Sequence, residues 1–221
     1  MIAIRAEPRS LGTPRCTGVV LAGGGATRYG GRAKGLEEVG GRRIIDRVAA
    51  ALREATDDLL LVANDTGAAG WLGGVRVAGD VLTDVGSVAG IHAALHHAGT
   101  AVLLVAWDMP FVPAELLHAL RGLATHEGAD VAAPESDSRR GLEPLCAFYG
   151  PRCLPAIERA VARDDRRVFG FYADVRVARL PAEDVARFGD PSRIFMNVNT
   201  PEELVVANAY ASSADRRRDR T

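Results

Sequence analysis

Three short segments of the 221-residue chain are apolar at almost every position: TGVVL at Thr17–Leu21, LLLVA at Leu59–Ala63 and AVLLVA at Ala101–Ala106. A strand with one wet face alternates polar and apolar residues, because successive side chains point to opposite sides. A run that is apolar throughout has to be buried on both faces, which places it in a mostly parallel sheet covered by helices. Looser runs at Val75–Ala78, Asp130–Ala133, Leu145–Tyr149 and Val175–Leu180 fit the same role. Segments of helical character lie between them, at Ile44–Glu54, Val88–His97, Glu115–Thr125, Pro155–Arg163 and Glu202–Tyr210. The alternation predicts an α/β fold with helices on both faces of the sheet. The last helix carries its own start signal, Thr200-Pro201-Glu202-Glu203: a threonine N-cap, proline at the first helical position, and a glutamate placed to close a capping box.

Composition narrows the partners. Basic and acidic residues number 27 and 28, so a dedicated nucleic-acid surface is not expected. No run approaches the ~18 apolar residues of a membrane span. Aromatic residues are 5% of the chain, so the core is expected to be built from Ala, Val and Leu. Cys16, Cys146 and Cys153 lack metal-ligand spacing and read as thiols, the latter two as buried ones, in a reducing, cytoplasmic setting. The five histidines read as surface residues; His92 and His96 have the spacing of a zinc pair but no third ligand nearby. One domain is expected over residues 16–210, with a disordered leader at 1–15 and a disordered tail at 211–221.

The stretch VVLAGGGATRYGGRAK (19–34) places five glycines after the first strand. At the carboxyl end of a strand in an open α/β sheet, glycines let the backbone approach a ligand and aim N–H groups at phosphate oxygens. Arg28 and Lys34 add full positive charges there. Two familiar phosphate motifs fail: Lys34 lies between Ala33 and Gly35, unlike a Walker A lysine, and Arg28 stands where a dinucleotide fingerprint needs its third glycine. A plain surface loop is the competing reading. Asp108, in Trp107-Asp108-Met109-Pro110, follows AVLLVA directly. A lone aspartate there is a turn residue; beside an anion-binding loop it becomes a candidate ligand for Mg²⁺, a hard ion that also takes phosphate oxygens. Asn64-Asp65 and Gly79-Asp80 follow the second and third strands and would share that edge, as ligands or simply as turns. Asn197-Val198-Asn199 offers two amides before the capped helix, as a strand and cap or as part of the site. There is no G-x-S-x-G setting for a hydrolase nucleophile.

Taken in order, LAGGGATRYGGRAK (21–34), DVLTDVGSVAG (80–90), WDMPF (107–111) and NVNTPEEL (197–204) resemble the signature motifs of the molybdopterin nucleotidyltransferases, the guanylyltransferase branch in particular, over residues 17–208. The resemblance implies a Rossmann-like nucleotidyltransferase fold. It implies transfer of GMP from Mg²⁺-bound GTP to the terminal phosphate of molybdenum-bound molybdopterin, with pyrophosphate released. Leu21, Ala22, Gly23 and Gly24 would meet the nucleotide, Lys34 and Arg28 its phosphates, and Asp108 its Mg²⁺. Asp80 and Asn64 would contact the nucleotide. Arg166 and Arg167 of DDRRVF (164–169), with Asn197 and Asn199, would face the anionic pterin. Proteins that deliver molybdopterin or receive the finished cofactor are the implied partners. Tyr29, Val62, Ser87-Val88 and Glu143 depart from the family's usual Met, Asn, Pro-Leu and His. A cytidylyl version of the transfer, transfer to a sugar or polyol phosphate, and a non-catalytic cofactor-binding module remain open alternatives.

Overall fold

The computed structural model describes residues 15–23, 33–83, 85–137 and 141–218. In chain order the strands are β1 (Cys16–Ala22), β2 (Glu38–Val39), β3 (Arg42–Arg43), β4 (Asp58–Ala63), β5 (Arg76–Ala78), β6 (Ala101–Ala106), β7 (Val131–Pro134), β8 (Cys146–Tyr149) and β9 (Val177–Leu180). The helices are α1 (Ile44–Ala55), α2 (Ser87–Ala98), α3 (Ala114–Glu127), α4 (Cys153–Ala162), α5 (Ala182–Val185), α6 (Pro191–Ile194) and α7 (Pro201–Arg218). Strands β2 and β3 form a small hairpin, and the other seven make one sheet in the order β5-β4-β1-β6-β8-β7-β9. All seven lie on the runs expected from the sequence. Six point the same way, while β8 runs antiparallel to both of its neighbours, β6 and β7.

The continuous apolar runs are explained by two cores. Along β1, Val20 joins the core under α1 and α3, whereas Val19 and Leu21 join the core under α2 and α4. Strands β4 and β6 divide their residues the same way, with Leu61 and Leu103 on one side and Leu60 and Leu104 on the other. Helix α1 shows how a cover is held: Ile44, Ile45, Val48, Ala49, Leu52 and Ala55 form one buried stripe. Each of its large aliphatic side chains contributes roughly 1.5–3 kcal/mol by leaving water.

The chain moves from β1 outward to β4 and β5, then returns to place β6 on the other side of β1. At such a reversal the connections diverge and leave a crevice beyond the carboxyl ends of the two central strands.

Three expectations from the sequence need correction or extension. His92 is buried at 2% exposure, on the inner face of α2; its Nε2 lies 3.4 Å from Glu158 Oε1. Its ring stacks on His96 at 5.9 Å and 16°, a parallel arrangement unlike converging metal ligands. Helix α7 runs on to Arg218, past residue 210 where a tail was expected, with Ala211 buried. All three cysteines, Cys16 included, are free and buried. Burial pushes the Cys16 thiol up to about 11 and the Cys153 thiol up to about 12. No helix among the described residues is long and apolar enough to cross a membrane.

Candidate active site

A cleft of about 550 Å³ opens at the crevice, and Leu21, Ala22, Gly23, Asn64, Asp80 and Asp108 line it. Each sits just at or beyond the end of β1, β4, β5 or β6. Gly86 and Ser87, at the start of α2, add another wall.

At its edge three segments meet on one ammonium. Lys34 opens a short 3-10 turn after the glycine-rich stretch; its Nζ donates to Asp108 Oδ2 and, at 2.6 Å, to Asn199 Oδ1. The Lys34 and Asp108 side chains are only 13% and 10% exposed, so their attraction is weakly screened by salt. Asp108 Oδ1 is buried and has no hydrogen-bond partner among the described residues.

The backbone explains why these groups converge. The Trp107 N–H donates to the Leu21 carbonyl at 3.1 Å, tying the turn after β6 to the end of β1. The Val198 N–H donates to the Asp108 carbonyl at 2.9 Å, and the Val198 side chain is fully buried. Asn199 is therefore carried on a segment pinned directly to the aspartate's own backbone. The Glu203 carboxylate accepts from the Asn199 and Thr200 N–H groups at 2.6 and 3.0 Å, and Thr200 Oγ1 accepts from the Glu203 N–H at 3.2 Å. The capping box expected from the sequence thus also orients a site residue.

Two glycines are required by close approach. A Cβ on Gly35 would fall 2.3 Å from Cε3 of Trp107, whose ring stacks on Trp71 with centroids 5.1 Å apart. The residue next to Lys34 thus packs directly on the face of that aromatic pair. On the opposite wall, a Cβ on Gly90 would fall 2.5 Å from Leu21 Cδ1, so the glycine admits the side chain that lines the cleft.

Asn64 and Asp80 hold each other: Asn64 Nδ2 donates to Asp80 Oδ2 at 2.7 Å, and the Asp80 N–H donates to Asn64 Oδ1 at 2.8 Å. Asp65 takes the turn role, accepting from the Gly67 N–H. Of the amide pair, Asn199 joins the lysine and aspartate, whereas Asn197 is exposed and donates to the Phe195 carbonyl. Arg166 and Arg167 do not line the cleft. Arg166 pairs with Asp164 and Arg167 with Asp165; the Arg167 guanidinium holds the Asp165 carboxyl down at about 2. Gly24 and Arg28, with most of the glycine-rich loop, lie outside the described residues.

Two features were given no role of their own in the site by the sequence reading. The start of α2 on the cleft wall is marked only by Gly86-Ser87, a weak signal without an acidic or hydroxyl N-cap. Glu143 has no local pattern to announce it. It lies on the turn before β8, where its Oε1 accepts from the Leu145 N–H at 3.2 Å. Burial raises its carboxyl above the usual range; the bond from Leu145 lowers it, and the charge of Asp108 raises it again. On the same side, the Tyr149 hydroxyl donates to the Pro144 carbonyl at 2.7 Å and lies 3.1 Å from the Tyr172 hydroxyl.

A six-to-one parallel sheet, an order reversal at β1 and β6, and a lysine–aspartate–asparagine junction over the crevice define an α/β nucleotidyltransferase. The chain belongs to the MobA-like NTP transferase family, whose domain matches residues 18–177. It is 38% identical over 201 residues to a protein of Pelotomaculum thermopropionicum named "Probable molybdenum cofactor guanylyltransferase", spanning 90% of this chain and 95% of that one. It is 37% identical to the molybdenum cofactor guanylyltransferase of Desulfosudis oleivorans, spanning 87% and 94% of the two chains. Among solved structures it is similar to molybdopterin-guanine dinucleotide biosynthesis protein A from Archaeoglobus fulgidus. The TM-score there is 0.74 at 30% identity, over 89% of this chain and 99% of that one.

Proposed function

We propose that this protein transfers GMP from GTP to the terminal phosphate of molybdenum-bound molybdopterin and releases pyrophosphate. The observation that carries the reading is the Lys34–Asp108–Asn199 junction at the edge of the switch-point cleft, in a chain whose relatives bear the guanylyltransferase name.

A triphosphate in the cleft runs past Gly23 toward the first turn of α2. Backbone N–H groups without intrahelical partners favour negative charge there. Lys34 binds the phosphates, and Arg28 and Gly24 act with it by their position in the loop. Asp80 and Asn64, locked to each other, contact the nucleotide together with Leu21 and Ala22. Arg166, Arg167 and Asn197 serve the acceptor side.

In the reaction an oxygen of the acceptor phosphate forms a bond to the α-phosphorus. The bond from that phosphorus to the bridging oxygen breaks, and pyrophosphate leaves with the electron pair. The nucleophile is already ionised, so no general base is needed. The obstacle is bringing two polyanions together in line, and a protein lowers it by positioning and charge neutralisation. Transferases of this kind use a divalent metal ion. Asp108 is the residue that holds it, and its buried, unpartnered Oδ1 fits a hard cation. Bound there as Mg²⁺, the ion supplies Lewis-acid neutralisation of the phosphate oxygens. The reaction takes place in the cytoplasm, between proteins that deliver molybdopterin and enzymes that receive the product.

The test is pyrophosphate release by the purified protein with Mg²⁺, molybdenum-bound molybdopterin and either GTP, CTP or ATP. Release with GTP alone is expected. Release with CTP in place of GTP moves the chain to cytidylyl transfer, and no release from folded protein with intact acceptor overturns the reading.

A further inference from the structure

We infer that Asn208 is a positioning residue for the Lys34–Asp108–Asn199 junction, clasping the β2–β3 hairpin to α7, a role that rests on reading that junction as the triphosphate site. Lys34 and Asn199 lie 165 positions apart, so they meet only if the segments that carry them are held to each other. Lys34 belongs to a short hydrogen-bonded unit. The Glu37 N–H donates to the Lys34 carbonyl at 3.1 Å, and the Ile44 N–H donates to the Glu37 carbonyl at 2.9 Å, closing the hairpin behind the lysine. Asn199 is tied to α7 just as directly, because the Glu203 carboxylate of that helix accepts from its N–H at 2.6 Å.

Asn208, further along α7, joins the two units through one amide. Its Oδ1 accepts from the Gly40 N–H at 3.0 Å, and its Nδ2 donates to the Glu38 carbonyl at 3.1 Å. Nδ2 also donates to the Leu204 carbonyl of its own helix at 3.0 Å, which fixes the direction of the side chain. A primary amide carries an acceptor and two donor hydrogens in one plane, so a single side chain can satisfy all three partners. The hairpin and the helix touch beside this clasp. A Cβ on Gly40, where φ is +58°, would fall 2.9 Å from the Ala211 Cβ, so the glycine allows both the turn and the approach. Next to Asn208, the Tyr210 ring meets Phe111 with centroids 6.4 Å apart, three residues beyond Asp108. Helix α7 thus reaches the carriers of all three junction residues, and Asn208 makes the polar link to the lysine's side. Lys34 aims its ammonium from the end of a flexible four-carbon stem, so its target depends on where that stem is anchored. Misplacement by about 1 Å is enough to cost up to about 100-fold in rate.

The experiment is a double-mutant cycle between Asn208 and Lys34 in the full-length protein. It is read as single-turnover pyrophosphate release from GTP with Mg²⁺ and molybdenum-bound molybdopterin. In the wild-type background, Asn208→Ala should slow release about tenfold. In the Lys34→Met background the same change should cost less than twofold, because the ammonium it aims is already gone. A merely structural role would give the same fold loss in both backgrounds. Asn208→Asp keeps the acceptor for the Gly40 N–H and loses the donation to Glu38; it should fall between wild type and Asn208→Ala. If Asn208→Ala does not fold, Asn208→Asp carries the same two-background comparison. Equal losses in the two backgrounds, or none in the wild-type background, overturn the clasp and leave the transferase reading standing. A folded wild type that releases no pyrophosphate overturns both.

Discussion

Lys34 and Arg167 are both basic residues paired with an aspartate, and the chain holds them in opposite ways. The partners of Lys34 lie 74 and 165 positions away, and its side chain is 13% exposed. The partner of Arg167 is two positions away, and its side chain is 67% exposed. The first arrangement exists only when β1, β6 and the segment before α7 are assembled. The second is a property of its own turn and would form in a short peptide. A charge pair made by tertiary convergence is shielded from water and fixed in direction, whereas a local exposed pair is screened and free to exchange partners. The first pair is therefore held in place by the assembled sheet, and the second only by its own turn.

That contrast can be broken most directly at Lys34. Replacing it by Met keeps the stem and removes the charge. The expected result is a fall in kcat/KM for GTP of about 100-fold or more, with KM raised and kcat lowered together, in steady-state kinetics. A change confined to KM would make Lys34 a binding residue without a share in the transition state.

Gly35→Ala sharpens the comparison by moving the lysine without touching its charge. The added methyl must displace the Trp107 ring or the turn that begins at Lys34, because the 2.3 Å approach leaves no room. Overpacking of this kind costs about 1–3 kcal/mol, to be read as a lower denaturant midpoint, with a fall in kcat/KM of about tenfold. Full activity would mean that the aromatic seat has no part in aiming the ammonium.

The smallest effect on the nucleotide side is expected at Arg167→Ala. Its exposed pair with Asp165 adds little to stability, so the melting temperature and the KM for GTP should stay within about twofold or an equivalent small shift. The KM for the pterin acceptor should rise several-fold instead. An equal effect on both substrates would erase the division between the two regions.

Much of this was legible beforehand because it is encoded locally. Seven strands and five long helices follow from apolar periodicity, and Thr200 and Glu203 announce their box within four residues. Asp108, Asn64 and Asp80 could be placed on one edge because each immediately follows an apolar run. His92 went wrong for the same reason that its neighbours went right: helix periodicity says which residues share a face, while its polarity argued for the outside. The face won, and the ring lies buried on the inner face of α2, its Nε2 3.4 Å from a glutamate oxygen. Asn197 and Asn199 looked equivalent in the sequence, yet Asn199 meets the lysine, with its N–H held by Glu203, whereas Asn197 is exposed and turns back to the Phe195 carbonyl.

By itself, the sequence determined the elements, their order, the covering of the sheet on both faces, and the edge at which charged residues collect. Those properties depend on neighbours a few residues apart, through side-chain period and backbone capping. Only the tertiary structure decided that β8 runs against β6 and β7, and that Lys34, Asp108 and Asn199 meet at one atom. Strand direction and side-chain convergence across 74 or 165 residues are set by how distant segments bury their apolar faces together, and no local pattern carries that information.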